Sequence, residues 1–444
     1  MKKNVVVLSL LIFILFGVSS AQYADGGLGY MGQDGGLLMG GVGMAVIDDQ
    51  TYFSINFRPE LAFGKLGIGL NLNLLYNAET GEVRKEDWDE SYDYFRLLRY
   101  LRWGHKWDPV YARVGTLDAA RLGHGFIVNY YTNESSYDNR KIGMAFDLDF
   151  GKFGFETVTS NLGRAELIGG RLFYRPLQGV VNIPIIKNFA VGGSYARDFD
   201  PDAAIDSDDA VNVYGFDAEL PLLKTGILTS MLYYDWAQIA GYSSDEDKNV
   251  TFGSGQAVGI MASLGNLAGL IDISAKFERR FLGKEFMASF FDPFYEIHRY
   301  RKSGETGIRK TDMLYGITEE TKGYFGELYG GLLGNKVRLL GMFSRLDEQK
   351  NSGILHLAAD APDAVPAIAA HATYDKMGVE MIEDVFTLDI NSVARVGLGY
   401  KIKPYLILYM DYLWTWKYET DETGAQVLKP QERIEPKLVF SYQF

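Results

Sequence analysis

The chain has 444 residues, a formal net charge of −13, 14% aromatic residues and no cysteine. An acidic balance excludes nucleic acid as a partner, because phosphates need a basic footprint opposite them. The absence of cysteine excludes disulfides and thiolate metal sites, so a chain of this length must be held together by other means.

At the N-terminus, Lys2 and Lys3 precede an apolar run from Val5 to Val18, and Ser19, Ser20 and Ala21 put small residues before a cut that leaves Gln22 first. The run is shorter than the ~20 apolar residues a membrane-crossing helix needs, so residues 1–21 read as a secretory signal peptide. Its loss takes the charge to −15. No cysteine follows to carry a lipid anchor. No later stretch reaches about 18 consecutive apolar residues, so no transmembrane helix is expected. No linker or composition break divides the rest, which favours one large closed architecture.

Residues 22–50 are glycine-rich (Gly26, Gly27, Gly35, Gly36, Gly40, Gly41, Gly43). They read either as a first strand at residues 37–47 or as a plug inside a lumen. From residue 51 to 444 the dominant signal is period-two alternation, which puts successive side chains on opposite faces of a strand. Leu66, Ile68, Leu70, Leu72, Leu74 and Tyr76 alternate with Gly67, Gly69, Asn71 and Asn73. Further on, Ile142, Met144, Phe146, Leu148 and Phe150 oppose Gly143, Ala145, Asp147 and Asp149. Val258, Ile260, Ala262 and Leu264 oppose Gly259, Met261 and Ser263. Near the end, Ala394, Val396, Leu398, Tyr400 and Ile402 oppose Arg395, Gly397, Gly399 and Lys401, and an apolar face runs from Leu406 to Trp416.

Gly64-Lys65, Gly151-Lys152, Gly265-Asn266 and Gly334-Asn335 sit between alternating runs and suit tight hairpins, in which the first central residue needs positive φ. Longer polar stretches at residues 77–93, 198–210, 243–253 and 419–431 predict large loops. Short turns on one rim and long loops on the other, with aromatic residues at strand ends, predict an all-β fold: a transmembrane antiparallel up-and-down β-barrel of about 16 strands, with 14 to 18 allowed.

The last strand carries a resemblance. Ile434, Leu438, Phe440, Tyr442 and Phe444 share one face and end on an aromatic residue. This resembles the C-terminal strand of Gram-negative outer-membrane proteins, which implies outer-membrane lipid and the barrel-assembly machinery as partners, with Phe440, Tyr442 and Phe444 as the assembly signal. Gly40-Gly41-Val42-Gly43-Met44-Ala45 with Asp48-Asp49 is similar to the N-terminal hatch of the long-chain fatty-acid transporter family. Arg58-Pro59-Glu60 stands where that family has Asn-Pro-Ala.

If the apolar faces meet lipid, the lumen is lined by Asn71, Asn73, Arg113, Asp147, Asp149, Arg338, Arg395, Lys401, Glu435 and Lys437. Charges of both signs suit a pore that sets a transverse field. Arg96, Arg99 and Arg102 form a dense basic cluster, and Arg99, on the face opposite the other two, belongs near an interface unless the segment is an internal helix. Asp198, Asp200, Asp202, Asp206 and Asp209 approximate a calcium loop, but Ala203 replaces the turn glycine and Asp209 is short for the last ligand. A solvated acidic loop is the favoured reading there, with no metal.

Five histidines (His105, His124, His298, His356, His371) show no metal spacing. Asp118 and His124 would need a hydroxyl nearby to form a hydrolytic centre, and Gly123 and Gly125 around His124 mark a tight turn instead. No enzyme activity and no cofactor are expected. The sequence predicts an outer-membrane channel for passive or facilitated diffusion of small solutes. The alternatives are a hatch-gated transporter of hydrophobic compounds and a structural or adhesive barrel. A homo-oligomer is compatible with each.

Overall fold

The computed structural model describes residues 35–47, 50–84, 88, 94, 97–106, 108–117, 120–133, 141–164, 166–202, 209–243, 248–293, 295–303, 306–389, 391–420 and 426–443. The signal segment, Asp118, Asp206 and Phe444 lie outside them. Along the chain run β1 (Gly35–Ile47), β2 (Gln50–Phe63), β3 (Leu66–Leu70), β4 (Leu72–Asn77), β5 (Leu98–Trp103), β6 (Val110–Gly115), β7 (Gly143–Asp149) and β8 (Phe153–Thr159). Next come β9 (Leu167–Tyr174), β10 (Ala190–Asp198), β11 (Val211–Lys224), β12 (Leu228–Ser243), β13 (Lys248–Leu267) and β14 (Ile271–Leu282). A small separate hairpin, β15 (Tyr300–Ser303) and β16 (Thr306–Arg309), precedes β17 (Thr321–Leu332), β18 (Val337–Leu346) and β19 (Gly353–Val365). The chain ends with β20 (Ile368–Val379), β21 (Ser392–Lys403), β22 (Leu406–Thr420) and β23 (Gln426–Gln443).

Apart from that hairpin, neighbours in sequence pair antiparallel. β3 and β4 are one line broken at Asn71, because both lie along β2. β5 pairs with β3, and β17 takes its place beside β14. β1 is hydrogen-bonded to β2 on one side and, over Leu37–Val42, to β23 on the other, so the first and last strands meet. The glycine-rich segment therefore contributes a wall strand over Gly35–Ile47. Among the described residues the main sheet holds 21 strands, with β3 and β4 counted separately, against the 16 expected. Short strands such as β5 and β6, six residues each, carry too little alternation to be counted from sequence. Among the described residues no helix is long and apolar enough to cross a membrane.

The connections sort by rim. One rim carries the tight turns at residues 64–65, 150–152, 225–227, 268–270, 333–336, 366–367 and 404–405, together with the longer connections at 104–109 and 175–189. The other carries the long connections at 78–97, 116–142, 199–210, 283–320 and 380–391. Gly64, Gly151 and Gly334 have φ of 56°, 85° and 66°, as the hairpins require. Two expected boundaries move. Gly265-Asn266 lies within β13 at a register shift, and the turn falls at Ala268 and Gly269, φ 54° and 71°. The expected loops at 243–253 and 419–431 shrink, because β12, β13, β22 and β23 continue as strands into those polar residues.

The two faces differ in chemistry. Outward positions expose Phe53, Ile55, Phe57, Leu172, Phe216, Val258, Ile260, Phe277, Leu328, Leu398 and Met410 around the sheet. Soluble proteins rarely expose contiguous apolar area beyond a few hundred Å². Many inward positions are small or polar, and several of the small ones face large neighbours. Gly67 lies opposite Arg102, where a Cβ would come 2.9 Å from Arg102 Nη2, and Gly259 and Gly397 likewise face Tyr233 and His371. Glycine on the inner face thus lets long polar side chains from the next strand lie flat against the wall.

Candidate functional site: the filled and the wet sides of the lumen

Two of the long connections fold into the barrel. Residues 120–133, between β6 and β7, are buried almost throughout, and they pack against residues 286–291 of the connection between β14 and β17. Val128 makes a parallel bridge with Phe291, and Ser289 N donates to Phe126 O at 2.7 Å. Leu122, Phe126, Ile127, Val128, Phe286 and Phe291 form a core with inward wall residues Ala196, Val211, Val213, Ala237 and Ile239. On this arc, from β6 to β14, the lumen is packed like the interior of a soluble protein.

Below that core, charged wall residues grip the loop. Arg171 on β9 spans Glu156 on β8, at 2.7 Å, and Asp217 on β11 through a bidentate pair at 2.9 and 2.6 Å. Lys106, in the β5–β6 turn, reaches Asp147 at 2.8 Å and Glu156 at 2.7 Å. His124 at the loop tip is 2.9 Å from Asp235 through Nδ1 and 3.2 Å from Glu219 through Nε2, and its ring stacks on Tyr233. Lys276 Nζ donates to His124 O at 2.5 Å and pairs with Glu278 at 2.7 Å. Arg121 reaches Glu327 on β17 at 2.8 Å. Buried charges are tolerable only when paired and hydrogen-bonded, so this network fixes the loop.

The turn around His124 has the geometry its glycines suggest. Gly123 and Gly125 adopt φ of 52° and 90°, and Gly125 N donates to Leu122 O at 2.9 Å. Burial alone would lower the His124 pKa; Asp235 and Glu219 outweigh it and raise the pKa to about 9. With both nitrogens on carboxylates, the ring is held as a doubly donating cation and offers no lone pair for base catalysis.

The inserted loops are tied together near the long-loop rim. Arg299 contacts Glu166 at 2.7 Å, Asp198 at 3.1 Å and Glu296 at 3.3 Å, while Lys141 pairs with Glu166 and Glu296. Burial of Glu166 would raise its pKa, but Lys141 and Arg299 hold it below the usual carboxylate range. Asp200, Asp202 and Asp209 gather as the acidic spacing suggests, their oxygens within 4.8 Å of one another. Arginines already occupy them: Arg309 sits 3.0 Å from Asp202 and from Asp209, and Arg164 pairs with Asp200. The three carboxylates thus already have arginine partners.

The remaining arc differs. Arg338 pairs with Asp360 across β18 and β19, and Asp411 on β22 takes both Arg395 and His371 at 3.1 Å. Lys401 pairs with Asp363. Here the inward Arg395 side chain is 42% exposed and His371 24%, against 3% for Arg171 and 1% for His124. Inward residues this exposed border solvent inside the barrel.

Of the residues that alternation assigns to the lumen, Asn71 and Arg113 are buried on the inner face, the latter 4.3 Å over the Tyr100 ring. Asp147 belongs to the loop-gripping network, and Asp149 pairs with Arg175 at 2.7 Å near the short-turn rim. Arg338, Arg395 and Lys401 lie on the wet arc. Asn73, Glu435 and Lys437 have strand positions opposite Asn56, Asp411 and Tyr409, but their side chains lie outside the described part. Phe440 is exposed on the outer face, and the side chain of Tyr442 is not among those described. Arg99 falls at the start of β5, next to the long-loop rim; Arg102 faces inward, and Arg96 is not described. Sequence reasoning missed Glu156, Arg171, Asp217, Glu219, Asp235, Lys276, Glu278 and Glu327. Their signal was present as charges two apart in strands, as in Lys276, Glu278 and Arg280.

No family model matches the chain, and no curated relative matches it. Among solved structures, the siderophore receptor PirA from Acinetobacter baumannii is similar over 93% of this chain and 81% of its own, at 8% identity and a TM-score of 0.36. OpdL from Pseudomonas aeruginosa is similar over 93% of this chain and 98% of its own, at 9% identity and a TM-score of 0.32. OccAB4 from Acinetobacter baumannii is similar over 93% and 99%, at 9% identity and a TM-score of 0.30.

Proposed function

We propose that the chain is an outer-membrane β-barrel through which small polar solutes diffuse along one side of the lumen. The observation that carries this reading is the contrast between its two interior arcs. One is filled by the inserted loops. The other keeps charged groups of both signs, with the partly solvent-exposed Arg395 and His371 side chains beside the buried carboxylate of Asp411. Outward aliphatic and aromatic residues supply the lipid-facing surface that such a wall needs.

Paired charges along a wet passage create a transverse field that slows large or strongly charged solutes and admits small dipolar ones. The driving force is the solute gradient. A hatch-gated route for hydrophobic compounds finds less support, because residues 35–47 stand in the wall and the wet arc carries charge. Liposome swelling with a graded series of neutral sugars and amino acids tests the proposal. Uptake that falls steeply with solute size supports it. No uptake of even the smallest solute, with the barrel folded, overturns it in favour of a structural or adhesive role.

A further inference from the structure

The two rims of the barrel differ in the balance of exposed charge. On the long-loop rim, Glu79, Glu82, Glu319, Glu320, Glu348 and Glu383 are exposed and outnumber the exposed Arg164, Lys248 and Lys350. On the short-turn rim the exposed charges are mainly lysines: Lys65, Lys152, Lys224, Lys336 and Lys403. The exposed carboxylate of Asp363 on that side is paired with Lys401.

The same rim carries a long connection, residues 175–189 between β9 and β10. It is ordered. Arg175 N donates to Lys152 O at 2.7 Å, Val180 N to Leu177 O at 3.1 Å and Lys187 N to Ile183 O at 2.9 Å. Arg175 holds Asp149 through two bonds at 2.7 and 2.9 Å. Despite this order it presents aliphatic side chains outward: Val180 is 74% exposed, Ile183 53%, and Ile185 and Ile186 41% each. A well-built loop that leaves four aliphatic groups uncovered, next to lysines, has the chemistry of an interfacial anchor. Apolar groups enter the acyl boundary while ammonium groups meet anionic headgroups.

Resting on the reading of this chain as a membrane-spanning barrel, we infer that residues 177–186 dock onto the anionic phospholipid of the leaflet that the short-turn rim faces. Val180, Ile183, Ile185 and Ile186 insert between headgroups, and Lys152, Lys187 and Lys224 hold the anionic phosphates around them. The acidic opposite rim would be repelled from such a surface, so the contact also fixes which way the barrel sits.

The cysteine-free chain allows a direct test with single environment-sensitive fluorophores on Val180→Cys and, as a reference on the outward face of β13, Val258→Cys. Both proteins are reconstituted in phosphatidylcholine vesicles with and without 30% phosphatidylglycerol, approximately, using brominated lipids as quenchers. The expected result is quenching of the residue-180 label at least threefold stronger in the anionic vesicles, lost in high salt or in a K152Q/K187Q/K224Q background. A label at 180 that stays water-like in both compositions while the label at 258 is quenched overturns the inference and leaves the barrel reading intact. Equal quenching at 180 in neutral and anionic vesicles overturns the anionic assignment, and quenching that depends on protein density overturns it in favour of a contact between copies. If the label at 258 is also unquenched, the barrel reading itself fails.

Discussion

His124 Nδ1 lies 2.9 Å from Asp235 Oδ1, joining the tip of an inserted loop to the middle of the barrel wall. The bond spans 111 residues of sequence, so it fixes a long connection at a single charged point. Glu219 takes the other ring nitrogen, and Lys276 the backbone carbonyl. The loop is therefore held by electrostatics at its tip and by apolar packing on either side.

The pH dependence follows from that clasp. The folded pKa of His124 is raised to about 9 from an ordinary 6.5. Its contribution to stability is therefore complete below about 6.5 and is lost as pH rises through about 9. Hydrogen exchange of residues 120–133 should accelerate on raising pH from 7 to 10, beyond the intrinsic base dependence. His124→Asn should lack that extra acceleration.

Arg171 on β9 neutralises buried Glu156 on the adjacent β8 and buried Asp217 on β11, beyond β10. Arg171→Met leaves Glu156 and Asp217 without it, a change that typically costs about 3 kcal/mol. Urea unfolding of the reconstituted barrel should shift to a lower midpoint with an unchanged slope. The double variant R171M/D217L should recover part of the loss, since removing both partners leaves less charge stranded.

Gly125 combines a φ of 90° with a neighbour in the way, since a Cβ there would come 2.5 Å from Asn129 Oδ1. Gly125→Val strains the turn by roughly 1–3 kcal/mol. The strain should release the loop before it unfolds the wall. Limited proteolysis is expected to cut within residues 120–133 in this variant, with the strands still protected.

Inner and outer faces should respond oppositely to charge. Phe277→Arg puts a cation on the apolar outer surface, at a cost of about 2–4 kcal/mol if it lies near mid-membrane. Arg395→Leu, on the wet arc, takes one cation from the buried carboxylate of Asp411, which keeps His371 at 3.1 Å, and should cost about 1–3 kcal/mol. It should also move ion preference toward cations, read as a change in reversal potential under a salt gradient.

Alternation alone separates the faces of β3, β7, β13 and β21, because each strand there has an apolar row against a small or charged one. It fails where inward residues are apolar, as with Val211, Val213, Ala237 and Ile239, since a packed lumen removes the polar half of the pattern. The inserted loop was visible only as an apolar density through Leu122, Phe126, Ile127, Val128, Tyr130 and Tyr131. Nothing in that run says whether it covers a rim or turns inward. Charges two residues apart, such as Asp217 and Glu219, marked inner faces, but their partners lie on other strands and become neighbours only through register. Asp200, Asp202 and Asp209 gather in space, yet the arginines that pair with them come from distant residues 164 and 309.

Single-channel conductance of the intact protein, beside a variant in which residues 120–131 are replaced by a short glycine-serine link, tests the division of the lumen most directly. Small, steady, ohmic steps are expected from the intact barrel, and steps several-fold larger once the filled arc is emptied. Silence from the intact protein with large steps from the shortened one would contradict an open passage along β18 to β22 and leave the loops as a complete plug.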